Sequence, residues 1–168
     1  MNALSPLEVG DMDAAALIEY IVERFHTGHR KHLPELARMS RRVEHVHATH
    51  PQCPEGLADE LEAHAQELES HMLKEEQVLF PMLANGLHQQ ACGPISIMEF
   101  EHEQHLAMID RIHHFTNDLM LPDGACSTWR SLYEGLGIYA RELAQHVHVE
   151  NYVLFAKALQ AVKGAQNA

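Results

Sequence analysis

The segment HMLKEEQVLF at residues 71–80 returns as HVHVENYVLF 75 residues later. At that offset His71 aligns with His146, Glu75 with Glu150, Val78 with Val153, Leu79 with Leu154 and Phe80 with Phe155. Upstream, Leu57, Leu61 and Leu68 align with Leu132, Leu136 and Leu143. Eight matches at one spacing mark an internal repeat, so the chain has to fold in a way that gives two copies of one unit equivalent surroundings. A looser echo relates His26-x-x-His29 to His102-x-x-His105 at an offset of 76.

The repeated unit reads as a helical hairpin. After Asp13, a good N-cap, the positions Ile18, Val22, His26, His29, Leu33, Leu36, Ser40, Val43 and His47 alternate steps of three and four, the period of one helix face. A bend is expected near Pro34, which lacks an amide donor. After the loop THPQCPEG a second seam carries Leu57, Leu61, His64, Leu68, His71, Glu75, Val78 and Met82 and stops at Gly86, a natural helix end. HQQACGP reads as the next break, with Ser96 and Glu99 as a capping box that opens a third helix. Its seam is Ile95, Met98, His102, His105, Ile109 and Ile112. The loop LPDGACS leads to a fourth seam of Leu132, Leu136, Tyr139, Leu143, His146, Glu150 and Val153, and the tail KGAQNA is expected to fray. Short connections make neighbouring helices antiparallel. The expected fold is an all-α, up-down-up-down antiparallel four-helix bundle, one domain over residues 1–168 with its core at about 14–160.

Acidic side chains outnumber basic ones, 24 to 12, which opposes binding to nucleic-acid phosphates or an anionic membrane surface and favours cations. No apolar run is long enough to span a bilayer, and MNALSPLEVG lacks a signal-peptide core. The expected compartment is the cytoplasm. Cys53, Cys92 and Cys126 have no paired spacing and fall in segments read as loops, which suggests plain free thiols. Histidine is the outlier, with fifteen copies.

Histidine and glutamate on a leucine seam need an explanation. His71 and Glu75 are four apart, as are His146 and Glu150, so each pair shares a helix face and points into the bundle. An ionised carboxylate in such a core costs several kcal/mol unless a cation compensates it. Counting levels at about 1.5 Å per residue brings one group from each helix to a common centre: His26, His71 with Glu75, His102, and His146 with Glu150. His47, about 30 Å along the first helix from His26, is excluded by the same count. His64 is expected to be a hydrogen-bonded core residue, and His29 and His105 core or rim residues one turn beyond the centre. His32, His45, His50, His88, His113, His114 and His148 are expected at the surface. Imidazole and carboxylate without thiolate suit iron, manganese or zinc, and carboxylates able to bridge favour a two-metal site, with iron the expected metal. Two bridging glutamates and four histidines supply eight of the roughly twelve donors that two octahedral ions take; an oxo bridge fills two more and leaves about two open.

At RFHTGHRKHLPEL, VEHVHA, SHMLKEEQVLFPML, GPISIMEFEHEQH, ACSTW and HVHVENYVLF the sequence resembles the hemerythrin-like superfamily, and more closely its di-iron proteins for repair of iron–sulfur clusters. The resemblance runs from about Leu17 to Leu159 and places the family's four histidines and two bridging glutamates on His26, His71, His102, His146, Glu75 and Glu150. It implies two iron ions in an oxo-bridged non-haem centre. The implied role is in the nitrosative and oxidative stress response, repairing damaged iron–sulfur proteins by iron donation, by binding nitric oxide, or both. The alternative is an oxygen-binding or oxygen-sensing module. Oxygen-carrying hemerythrins are less similar, having a histidine where this chain has Leu106 and a longer spacing than His146-x-x-x-Glu150. Longer repair proteins carry an N-terminal domain with a cysteine pair, so the expectation is a short form with some sixteen residues ahead of the bundle.

Overall fold

The computed structural model describes residues 6–166; residues 1–5 of the opening segment and 167–168 of the tail lie outside it. Among the described residues all regular structure is helical: a short helix Pro6–Asp11 precedes four long ones at 14–46, 57–84, His88–Thr116 and 127–166. Neighbours run antiparallel. Arg41, late in the first long helix, pairs with Asp59, early in the second. The Phe115 ring at the end of the third lies against Gly56 at the head of the second. Lys157, late in the fourth, donates to the Gly10 and Met12 carbonyls just ahead of the first. The first and third helices each pack on the second and the fourth, which gives the all-α up-down-up-down bundle that the seams predict.

Several ends follow local chemistry. The Asp13 carboxylate accepts the Ala16 N–H at 2.9 Å and caps the first long helix. Gly86, at φ +71, closes the second, with the Leu87 N–H on the Met82 carbonyl and the Gly86 N–H on the Leu83 carbonyl, the paired bonds of a Schellman end.

Other expectations are corrected. The third helix starts at His88, not at a Ser96 capping box, and the Ser96 hydroxyl donates back to the Cys92 carbonyl at 3.2 Å. The helix continues through HQQACGP because fully buried Ala91 extends the Ile95 and Met98 stripe upstream, while Pro94 already has a helical φ. Cys92 therefore lies on a helix rather than in a loop. Pro34, where a bend is expected, sits inside the α-helical stretch Thr27–Val46, and a separate irregular turn that the seam does not predict lies upstream, at Val22–His26. The tail is helical to Gln166, favoured by buried Ala158 and by Lys163 near the negative end of the helix dipole.

The main departure from the straight seams is a π-helical turn in three of the four long helices: Val22–His26, Glu75–Leu79 and Glu150–Phe155. A π turn holds one residue more than an α turn, so the buried stripe shifts by one position across it. Leu17 and Ile21 are buried where a regular seam predicts Ile18 and Val22. Leu79 and Leu83 replace Val78 and Met82, and Leu154 replaces Val153. Val78 is 53% exposed. Burial therefore passes from Leu57, Leu61 and Leu68 ahead of Glu75 to Leu79 and Leu83 behind it, one position along from the Val78 and Met82 of the regular seam. The third helix has no π turn, and Ile95, Met98, His102, His105 and Ile112 are all buried in the predicted phase, with Met108 buried more fully than Ile109.

Two apolar clusters result. One gathers Leu33, Leu36, Leu61, Leu68, Leu136 and Leu143 with Trp129; the other gathers Leu17, Ile21, Phe25, Leu79, Ile95 and Phe155. Along every long helix the polar centre falls between them, at the changeover from one cluster to the other.

Candidate metal centre

All six residues singled out in the sequence converge between these clusters, and each is at most 1% exposed. They form two overlapping groups of four, His26, Glu75, His146 and Glu150, and His71, Glu75, His102 and Glu150, each with its candidate ligand atoms within 4.8 Å of one another. The glutamates belong to both. Glu75 turns Oε2 toward His26 Nε2 at 3.4 Å and Oε1 toward His71 and His102 at 3.3 and 3.6 Å. Glu150 turns Oε1 toward His146 and His26 at 2.9 and 3.5 Å and Oε2 toward His102 at 3.0 Å. Each carboxylate thus offers one oxygen to each group.

These close approaches are not hydrogen bonds: all four carboxylate oxygens are buried without a hydrogen-bond partner. The outer ring nitrogens are engaged elsewhere. His26 Nδ1 donates to Glu76 at 2.7 Å, His71 Nδ1 to Glu101 at 2.9 Å and His102 Nδ1 to Asn151 Oδ1 at 2.7 Å. His146 Nδ1 stands 3.2 Å from His29 Nε2. With Nδ1 turned outward, every ring presents Nε2 to the centre, where His26 Nε2 lies 3.2 Å from His146 Nε2 and His71 Nε2 lies 3.0 Å from His102 Nε2. Four imidazole nitrogens and four carboxylate oxygens therefore meet at the centre, and ligand atoms bound about 2.0–2.2 Å from one ion lie about 3 Å apart, close to the spacing seen. The residues fit a pair of cations.

Without a cation the same field draws in protons. Burial works against charge on His26 and His102, but Glu150 and Glu75 outweigh it and carry both pKa values up to about 10. Burial and the neighbouring Glu150 would raise Glu75, yet His102, His26 and His71 hold it down at about 2. Glu150 is also held well below the carboxylate range, against its burial, by His146, His102 and His26. Burial lowers His146 despite Glu150 beside it. Each group of four thus contains one histidine whose proton stands where a metal charge would.

The outer contacts brace the rings. Glu76 also accepts from Arg30 at 2.8 Å, and Arg30 donates to Glu69 at 2.7 Å. Glu101 is shared with Lys74. Phe80 stacks on His26 at 5.7 Å and Phe155 on His102 at 5.9 Å, which explains why both phenylalanines recur in the repeat. Glu76, Glu101 and Asn151 were not singled out in the sequence; the available signal was that Glu76 and Asn151 each follow a repeated glutamate and are equivalent at the same offset.

The remaining histidines divide as expected, with refinements. His64 is buried and bonded to Tyr139 Oη at 2.5 Å. His29 backs His146, and His105 is buried with its ring 4.9 Å from that of His71. His47 lies outside the centre, its ring tilted against that of Trp129 at 4.7 Å with Nε2 3.2 Å from Cys126 Sγ. His32, His45, His114 and His148 are exposed, whereas His50, His88 and His113 are half-buried.

A buried cluster of imidazoles and carboxylates projecting from four antiparallel helices defines a class of cation-binding helical bundle. The hemerythrin HHE cation binding domain model matches residues 17–158, and the chain belongs to that family. It is 47% identical over 144 residues to iron-sulfur cluster repair protein YtfE of Yersinia pestis (strain Pestoides F) and to the protein of the same name from Yersinia pseudotuberculosis serotype O:1b (strain IP 31758). The match covers 86% of this chain and 65% of each relative's length. No helix among the described residues is long and apolar enough to cross a membrane.

Proposed function

We propose that the chain, acting as one domain in the cytoplasm, is a non-haem di-iron protein that restores iron–sulfur clusters damaged by nitrosative and oxidative stress. In this proposal Glu75 and Glu150 would be shared between two iron ions of an oxo-bridged centre. His26 and His146 would hold one ion, and His71 and His102 the other. The observation that carries the proposal is the set of four buried carboxylate oxygens without a hydrogen-bond partner, each facing an imidazole Nε2. The similarity to proteins named for iron-sulfur cluster repair supports the biological role.

Iron held there would supply open positions for a small ligand such as nitric oxide or oxygen, and a store of iron to release. The chain's own residues supply the rest. Glu76, Glu101, Asn151 and His29 hold the imidazoles in the binding tautomer, and the apolar clusters on either side exclude water. The experiment is to prepare the reduced protein anaerobically, count iron per chain, and add nitric oxide and oxygen separately while recording spectra. The same protein is then mixed with a cluster enzyme inactivated by nitric oxide. Two irons per chain, a spectral response to nitric oxide and recovery of the damaged enzyme are expected. A stable, reversible response to oxygen with no recovery of the enzyme would instead identify an oxygen-binding module.

A further inference from the structure

Four buried polar rings outside the proposed ligand set form an arc beneath the centre, on the side of the Leu36, Leu61 and Leu136 cluster. From His146 the arc passes to His29 at 5.1 Å between centroids, to Tyr139 at 5.4 Å, to His64 at 5.9 Å, to His105 at 5.4 Å and back to His71 at 4.9 Å. It joins the two groups of four. None of its four inner rings is more than 5% exposed. Packing alone does not call for them, since replacing both partners of a buried hydrogen bond with apolar groups of the same shape is close to neutral. The arc holds one oxidisable group, the Tyr139 phenol, and its hydroxyl meets His64 Nε2 at 2.5 Å. Burial pushes the Tyr139 pKa up, so the phenol keeps its proton and donates. Burial, with Arg111 nearby, takes His64 down to about 4, so its imidazole is neutral and free to accept.

We propose that Tyr139 is a redox-active tyrosine that delivers one electron to the centre by way of His29 and His146 while its phenolic proton passes to His64. The proposal rests on the reading that the six residues hold iron. It applies when the oxidant needs more electrons than the metal has to give. Reduction of one hydrogen peroxide to two waters takes two electrons and two protons. A centre with a single ferrous ion supplies one electron and Tyr139 the other; the two protons come from solvent. Tyr139 is left as a neutral phenoxyl radical, and its own proton rests on His64 Nε2.

The test uses the full chain loaded with iron, reduced to one ferrous ion per centre, mixed with hydrogen peroxide and frozen within milliseconds for electron paramagnetic resonance. Ring-deuterated tyrosine identifies a tyrosyl signal. The wild type is expected to give that signal and Tyr139→Phe to lose it while retaining the same iron content and helicity. His64→Gln keeps an acceptor for the phenol but no base, and radical formation should slow by about a hundredfold, the lower range of a general base's contribution. A tyrosyl signal unchanged in Tyr139→Phe, or none in the wild type, overturns the relay. Iron content separates the failures: full iron without a Tyr139 radical overturns the relay alone, and a chain that holds no iron overturns the centre and the relay together.

Discussion

Replacing Glu75 with glutamine preserves the shape of the side chain and removes its charge. Because Glu75 gives one oxygen to each group of four, the change weakens both cation positions at once. An ion present at about a thousand times its Kd stabilises the fold by about 4 kcal/mol, so two ions contribute about 8 kcal/mol. For a chain of this size, where 1 kcal/mol moves Tm by about 2–4 °C, loading the wild type should raise Tm by about 15–30 °C. Loss of one charged partner in a buried site costs about 3 kcal/mol per ion, which lowers each affinity by about two orders of magnitude. At the same ion concentration about 1 kcal/mol per ion remains, and the rise shrinks to about 5–10 °C. In the metal-free protein the substitution removes one buried anion and, with it, the reason for one buried imidazolium. Metal-free Glu75→Gln should therefore unfold within a few degrees of metal-free wild type. Scanning calorimetry of both proteins, anaerobically with and without ferrous ion, reads all four values. A glutamine variant that keeps the full metal-dependent rise would refute Glu75 as a shared ligand, and one that collapses only in its metal-free form would show that the carboxylate serves the fold instead.

Other expectations follow from the same geometry. In the metal-free protein, stability from His26 and His102 is complete below their ordinary value of 6.5 and is lost as pH rises through about 10. That from Glu75 is present above its ordinary 4.5 and is lost as pH falls through about 2. Urea titrations should therefore find the metal-free protein most stable between about pH 4.5 and 6.5. Each ion has to displace about one proton, so competition with a chelator should show affinity rising about tenfold per pH unit until it levels near pH 10. Asn151→Leu removes the acceptor of the His102 Nδ1 proton and should weaken metal binding by about 10–100-fold with unchanged helicity, as measured by metal titration and circular dichroism. Deleting exposed Val78 from the Glu75–Leu79 π turn leaves both flanking stripes in phase and should shift Tm by only a few degrees. Deleting exposed Glu67 from regular helix rotates everything downstream by about 100° and should unfold the bundle.

The bundle was legible in the sequence because three-four stepping of leucines survives any local irregularity shorter than a turn. Four of the six candidate ligands were legible because the repeat linked two His-x-x-x-Glu pairs that neither seam alone could justify burying, and His26 and His102 because counting levels along the helices set them beside those pairs. The π turns were not, since Val78 and Leu79 are both apolar and the same holds for Val153 and Leu154, so hydrophobicity does not mark the inserted residue. Only tertiary packing decides which of the two is buried. Ser96 and Glu99 have the letters of a capping box, but Ala91 carries an apolar contact one turn earlier, and burial outweighed the local hydrogen bond. The outer partners stayed hidden for a different reason: Glu76, Glu101 and Asn151 look like ordinary surface residues until the bundle brings them behind imidazoles on other helices.

Diffraction data collected on either side of the iron absorption edge would locate bound iron by its anomalous scattering alone. Two peaks are expected per chain, one between His26 and His146 and one between His71 and His102, each flanked by an oxygen of Glu75 and of Glu150. No peak at either position in crystals grown with ferrous ion, or a peak bound away from both glutamates, would contradict the shared carboxylate centre on which the proposed function stands.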